Sequence, residues 1–120
     1  MKSSEALNKR IIDYVVSVIK HTRILTKNNE NQVFINQIIR SCSSIGANYS
    51  ECMYAHTRAE FIHSMNISRK ETNETLYWLH LIDTCNPLIH DKITPLLNEG
   101  EQLLKIFISS IKTAKDNYEK

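Results

Sequence analysis

The chain has only two glycines and two prolines in 120 residues, and this scarcity limits the folds open to it. Hairpins and tight turns depend on these residues at fixed positions, so strands are not expected. Apolar residues instead recur at three- and four-residue spacing, which is the period of a helix buried along one face. With 42% apolar and 23% charged residues, the composition is that of an ordinary globular protein. The sequence predicts an all-α protein with a single domain over residues 1–120.

Capping residues and polar breaks divide the chain into four helical segments. The predicted helices cover residues 4–27, 31–53, 57–85 and 95–117. Ser4 is the expected N-cap of the first helix, and Thr57 to Glu60 has the spacing of a capping box for the third. Thr94 and Pro95 fit the N-cap and first position of the fourth. Short connections between four helices favour an antiparallel up-down-up-down four-helix bundle.

Helical periodicity also predicts which side chains enter the core. The first helix carries a core row and, beside it, a second apolar row of Ile12, Val16 and Ile19 that is available to a second subunit. In the second helix the predicted core stripe includes Asn48. In the fourth, the predicted core face consists of Leu97, Leu104, Ile108 and Ile111, with Leu103 and Phe107 on its flank.

Small residues fill the segment Arg40–Glu51, R-S-C-S-S-I-G-A-N-Y-S-E, inside the second helix. Small side chains let helices approach closely, whereas a buried arginine is costly unless it is paired. If the second and third helices turn around near residue 55, Arg40 lies level with Glu71, and Glu74 is one turn further along. We predict that Arg40 pairs with one or both carboxylates and that the pairing helps to set the helix register.

Three blocks of the sequence resemble a known family. They are Q-I-I-R-S-C-S-S-I-G-A-N-Y-S-E at 37–51, E-F-I-H-S-M-N-I-S-R-K-E-T-N-E-T-L-Y-W-L at 60–79, and L-L-K-I-F-I-S-S-I-K-T-A-K at 103–115. In this order and spacing they are similar to the bacterial four-helix bundle proteins called 23S-rRNA-intervening-sequence proteins, which include the accessory variability determinant of diversity-generating retroelements. One departure is Ser50-Glu51-Cys52, where many members have Ala-Glu-Gly.

The resemblance implies an antiparallel bundle that assembles into a ring-like homopentamer. For the retroelement branch it also implies binding to nucleic acid, RNA or DNA, and to a reverse transcriptase. It brings no catalytic residues and no cofactor, so the chain is expected to be a non-enzymatic accessory protein. The retroelement branch is usually strongly basic, whereas this chain has a net charge of only +2.

Basic residues of the third and fourth helices are the candidates for a nucleic-acid interface. They are Arg58, Arg69, Lys70, Lys105 and Lys112. Phosphate contacts need clustered lysine or arginine, and a ring of subunits would repeat the cluster. The alternative is an ordinary solvated surface that Glu60, Glu71 and Glu74 neutralise.

Two short motifs raise catalytic alternatives. Arg58-x4-His63 resembles the R-x(4–6)-H motif of HEPN-type ribonucleases, in which both residues act on an RNA phosphate. Glu60-x-x-His63 has the spacing of a carboxylate–histidine metal ligand pair, but a di-iron bundle needs a second such pair and the sequence lacks one. We therefore expect neither a metal nor an enzyme activity.

The three cysteines, Cys42, Cys52 and Cys85, are odd in number and include no C-x-x-C pair. They are expected to be small buried free thiols in a reducing compartment. No apolar run is long enough to span a membrane or serve as a signal peptide. These features predict a cytoplasmic protein without a membrane partner. Trp78 and Tyr77 are expected to pack within the bundle or against a neighbouring subunit.

Overall fold

Four long helices form an all-α bundle in the computed structural model, which describes the backbone of residues 3–119 and the side chains of residues 4–117. The helices are α1 (Ser3–Thr22), α2 (Asn29–Met53), α3 (Arg58–Cys85) and α4 (His90–Glu119), with a short 3₁₀ turn at Pro87–Ile89. Helix α2 lies between α1 and α3, and α4 packs on α3 and α1. No strand occurs in residues 3–119. The predicted all-α four-helix bundle is confirmed.

Side-chain caps explain where α2 and α3 begin. The Asn28 side chain accepts a hydrogen bond of 2.8 Å from the Asn31 backbone N–H, and Thr57 accepts one of 3.1 Å from the Glu60 N–H. Glu60 completes the predicted capping box in a variant form, because its carboxylate accepts from the His56 N–H rather than from Thr57. Each cap satisfies amide groups that the first helical turn leaves unpaired.

The first helix ends earlier than predicted, at Thr22 rather than residue 27. The Thr22 hydroxyl donates to the Ile19 carbonyl at 2.6 Å, and the Leu25 N–H bonds the Thr22 carbonyl. The chain therefore leaves the helix in a tight turn that still buries Leu25. Ser4 lies inside α1 rather than capping it.

The fourth helix starts at His90, five residues before the prediction, so that Pro95 lies inside it. Proline removes a helical hydrogen bond and crowds the carbonyl four residues earlier. Here that carbonyl belongs to Asp91, and both Asp91 and Pro95 are exposed, so water can replace the lost partner. The early start brings Ile93 into the core, where it is fully buried. Burial of a whole isoleucine contributes about 2 kcal/mol, which offsets part of the cost of the proline.

The buried residues recur at the predicted helical spacing, but in α2 and α4 the buried face is rotated around the helix axis relative to the predicted face. In α4 Leu97 and Ile111 are buried as predicted, but Leu103 and Phe107, predicted on the flank, are fully buried, whereas Ile108 is 50% exposed. In α2 Tyr49 is buried in the place predicted for Asn48. Among the described side chains, no buried polar atom lacks a partner.

Hydroxyl groups form a buried seam between α2 and α3. Ser41 and Thr75 share a hydrogen bond of 2.8 Å between their oxygens, and the Ser68 hydroxyl donates to the Ile45 carbonyl of α2 at 3.0 Å. Thr72 donates to the Ser68 carbonyl of its own helix. Small side chains thus let the two helices approach closely without leaving a buried hydroxyl unpaired.

At Gly100 the side chains of α1 and α3 approach the backbone of α4 closely. A Cβ atom there would lie 2.5 Å from the Tyr14 hydroxyl and 2.7 Å from Leu76 Cδ2. The Tyr14 hydroxyl is buried and donates to the Leu96 carbonyl at 3.0 Å. Burial also raises the pKa of this phenol well above its ordinary value, so it stays protonated as a donor. The missing side chain of Gly100 therefore makes room for a hydrogen bond from α1 to α4.

Asn31 and Asn86 join two connections at the same end of the bundle. Each side-chain amide donates to the other's oxygen, at 3.0 and 2.9 Å, and Asn31 also donates to the Thr26 carbonyl. Asn31 is buried. The reciprocal pair fixes the α1–α2 connection against the end of α3.

Candidate functional site

Arg40 bridges two carboxylates of α3. Its Nη1 donates to Glu71 Oε2 at 3.0 Å, and its Nη2 donates to Glu74 Oε2. Trp78 Nε1 donates to the same Glu74 oxygen at 3.1 Å. The guanidinium thus contacts both carboxylates expected from the register, one nitrogen to each rather than two to one. That the pair sets the register remains a prediction.

The candidate nucleic-acid residues divide into two groups. Arg58 and Arg69 are separated by about three helical turns, and both lie toward the α4 side of α3. Arg58 Nη1 donates to the Ala114 carbonyl at 3.3 Å, whereas Arg69 is half-buried and donates to Asn66.

The other group consists of three exposed lysines. Lys70 lies on α3, and Lys105 and Lys112 are two turns apart on one side of α4. Among residues 4–117, none of the three forms an ion pair. We call these three residues the lysine face.

The carboxylates expected to neutralise the basic residues bind other groups. Glu71 and Glu74 hold Arg40 on the α2 side of α3, and Glu60 caps the start of that helix. Glu101, one turn before Lys105, is an exposed acid on the same side of α4.

Within one subunit, the described residues of neither catalytic alternative come together as a site. A spacing of five residues separates Arg58 and His63 by about 140° around α3, and the Arg58 guanidinium is held over α4 by the Ala114 carbonyl. No cluster of three metal-ligating side chains occurs among the residues that the structure describes. Glu60 of the E-x-x-H motif serves as a cap instead.

Thiol chemistry is suppressed at two of the three cysteines. Burial raises the pKa of both Cys42 and Cys52 to about 11, so their reactive thiolate forms are scarce at neutral pH. The expectation of burial is wrong for Cys85, which is exposed because it is the last residue of α3. All three are free thiols.

Several of the large apolar side chains exposed among residues 4–117 group into two patches. The first, here called the α1 patch, consists of Ile12 and Val16, which are exposed, and Ile19, which is half-buried. The second, the α2–α3 patch, consists of exposed Val33 and Tyr77 with half-buried Trp78. Tyr77 packs edge-on against Trp78 with ring centroids 5.0 Å apart. The sequence predicted the outer row of α1, but it gave no sign that Val33 would be exposed.

None of the helices in the part of the chain described here combines the length and apolarity that crossing a membrane requires.

Comparison with known proteins assigns a family. The family model of the 23S rRNA-intervening sequence protein matches residues 5–109. The chain belongs to this family. The match spans all four helices, and it includes the small-residue segment of α2 and the carboxylates that bind Arg40.

A solved structure shows the same fold. It is the crystal structure of a protein with unknown function from the S23 ribosomal protein family of Bacteroides thetaiotaomicron VPI-5482. It is 33% identical to this chain, covers 92% of it, is itself covered to 99%, and superposes with a TM-score of 0.81. A search of curated proteins gave no match. The family and the fold are therefore shown, and the solved relative is itself described as having unknown function.

Proposed function

We propose that this protein is a non-enzymatic bundle that assembles with copies of itself into a closed ring. The supporting observation is that large apolar side chains are exposed both on α1 and on the neighbouring helices α2 and α3. Within the described residues, α1 makes no close backbone approach to α3, so the α1 patch is separate from Tyr77 and Trp78 of the α2–α3 patch. Separate apolar patches on a small domain are typical of interaction sites.

Two different patches fit a head-to-tail contact better than a twofold one. A twofold dimer uses the same surface on both subunits, whereas a contact between unlike surfaces propagates until it closes as a ring. Ile12 and Val16 of one copy would then pack against Val33 and Tyr77 of the next. The ring of five subunits is the number that the family resemblance implies.

Mass measurement tests the assembly. By light scattering after size exclusion, the wild-type chain should have about five times its monomer mass of 13.9 kDa. Val16→Lys places a charge in the α1 patch and should give a monomer, because a buried unpaired charge is costly. Ile24→Lys is the matched control, since Ile24 is 44% exposed and Val16 43%, but Ile24 lies outside both patches. A monomeric wild type at high micromolar concentration would contradict the proposal.

A mixing experiment tests the head-to-tail arrangement itself. Tyr77→Lys should also give a monomer. In an equimolar mixture with Val16→Lys, each variant retains the patch that the other lacks, so one intact contact can form. We expect heterodimers that grow no further. A twofold contact predicts no such rescue, and an absence of heterodimers would rule out the pairing of these two patches.

Nucleic-acid binding is a second candidate, supported by the unpaired lysine face. Because Arg40 pairs with both Glu71 and Glu74, it compensates one of their two negative charges, which leaves the three positive charges of Lys70, Lys105 and Lys112 in excess. A ring would repeat the three lysines in every subunit, and repeated weak contacts add in binding strength when one ligand spans them. The opposing charges are the one left at Glu71 and Glu74 and that of Glu101, so the lysine face keeps a net positive charge.

Fluorescence anisotropy with a structured RNA and a duplex DNA tests this candidate. The triple variant Lys70→Gln, Lys105→Gln and Lys112→Gln should bind more weakly, and its affinity should depend less steeply on salt, since each lost phosphate contact lowers the slope by about one. The control is the triple variant Lys9→Gln, Lys20→Gln and Lys27→Gln, which removes the same number of positive charges from the N-terminal part of the chain. Equal losses in both triple variants, or no binding at low salt, would contradict the lysine face.

A further inference from the structure

A cavity of about 530 Å³ lies between the start of α3 and the last turns of α4. Its polar lining consists of Arg58, Ser109, Ser110, Thr113 and Asn117. Phe61, which is half-buried, supplies an apolar wall. This volume falls within the range of small-molecule sites, about 300–1,000 Å³.

Arg58 gives the cavity its chemical preference. Among residues 4–117 no carboxylate pairs with the guanidinium, and its one side-chain hydrogen bond goes to the Ala114 carbonyl at 3.3 Å. A guanidinium has five N–H donors, so most of them remain for a ligand. Among residues 4–117, the lining adds hydroxyl and amide groups and contains no acidic side chain. Such a set of donors suits an oxyanion.

The apolar side of the cavity adjoins a second one. A groove of about 520 Å³ shares Phe61 and Ser110 with the first cavity and is otherwise lined by residues that include Leu7, Met65 and Ile106. A ligand held by Arg58 at one end would therefore contact Phe61 and this apolar groove at the other. A simple inorganic anion would leave the apolar surface exposed to water, whereas a ligand with an apolar body would cover it.

We propose that this cavity binds an amphipathic organic anion, with its oxyanion on Arg58 and the hydroxyl groups and its apolar part along Phe61. The proposal does not depend on ring assembly or on nucleic-acid binding by the lysine face. Arg58 acts in it as a binding residue and carries out no chemistry.

Two fluorescent probes that differ in charge test the site. One is 8-anilinonaphthalene-1-sulfonate, and the other is N-phenyl-1-naphthylamine, which has the same rings but no sulfonate. Arg58→Gln should weaken binding of the sulfonate probe about tenfold, the loss expected for hydrogen bonds to a charged group, and should change binding of the neutral probe less than twofold. Lys112→Gln, which removes the same charge outside the cavity, should leave both probes unchanged.

A blocking variant makes the test independent of charge. Thr113→Trp fills the cavity from its exposed rim, and we expect it to weaken both probes strongly while far-UV circular dichroism shows a folded bundle. The proposal fails if Arg58→Gln and Lys112→Gln have equal effects, which would indicate general surface electrostatics. It also fails if Thr113→Trp leaves both probes bound, because they would then occupy another apolar surface such as the α1 patch.

Discussion

Gly100→Ala should destabilise the bundle, although alanine is the better helix former. The new Cβ would lie 2.5 Å from the Tyr14 hydroxyl and 2.7 Å from Leu76 Cδ2, closer than van der Waals contact permits. The Tyr14 ring is buried against α4 and its hydroxyl holds the Leu96 carbonyl. It cannot move away without weakening that hydrogen bond.

The expected magnitude follows from two opposing effects. Replacing a helical glycine by alanine gains about 1 kcal/mol in helix propensity. Overpacking a well-filled core costs about 1–3 kcal/mol, and a strained or broken buried hydrogen bond adds about 1 kcal/mol. The net expectation is a loss of about 1–3 kcal/mol in the free energy of unfolding.

Gly46→Ala is the control within the same chain. A Cβ at Gly46 would lie 3.7 Å from Ile11 Cγ2, an ordinary contact. The propensity gain should therefore survive, and this variant should be more stable than wild type by about 0.5–1 kcal/mol. The same substitution thus has opposite signs at the two helical glycines.

Urea unfolding followed by far-UV circular dichroism, at one fixed protein concentration, measures both changes. Tyr14→Phe removes the crowding oxygen, so Gly100→Ala should cost at least about 1 kcal/mol less in that background, a coupling typical of residues in contact. A Gly100→Ala protein as stable as wild type would refute the reasoning. So would an equal cost of Gly100→Ala with and without the Tyr14 hydroxyl.

Three further predictions concern charges and thiols. Arg40→Met should lower the free energy of unfolding by about 1 kcal/mol, because the Glu71 side chain is only 17% exposed and would lose its cation. Unchanged stability and oligomeric state would contradict the prediction that this pair sets the helix register. Dithionitrobenzoate should titrate one thiol, Cys85, in the native protein and three in denaturant, and rapid labelling of all three without denaturant would contradict the burial of the other two. The hydrogen bond with Asp83 raises the pKa of His90, so its contribution to stability is complete below about pH 6.5 and is lost as pH rises through the folded pKa. An NMR titration should show a lower His90 pKa in Asp83→Asn, and an unchanged value would contradict the pairing.

The α2–α3 pair could be read from the sequence because local and long-range signals agree there. The small and hydroxyl-bearing residues recur at helical spacing, and a capped turn near residue 55 sets the level of one helix against the other. That arithmetic placed Arg40 beside Glu71 and Glu74, where the structure has it.

Three features could not be predicted from the sequence because they depend on tertiary packing. Pro95 is a strong local signal for a helix start, but the burial of Ile93 favours five more helical residues before it. The pairing of Asn31 with Asn86 depends on two connections meeting in space. The cavity at Arg58 could not be foreseen for the same reason, since its lining comes from the start of one helix and the end of another.

The uneven anchoring of the helices links folding to protein concentration. Helix α1 packs less extensively on the rest of the bundle than α2 and α3 pack on each other, and it carries Ile12 and Val16 on its outer side. In the proposed ring, the neighbouring copy would hold this helix in place. Because a partner that binds only the folded form stabilises it by mass action, dilution would then loosen α1 before the hydroxyl seam between α2 and α3 opens.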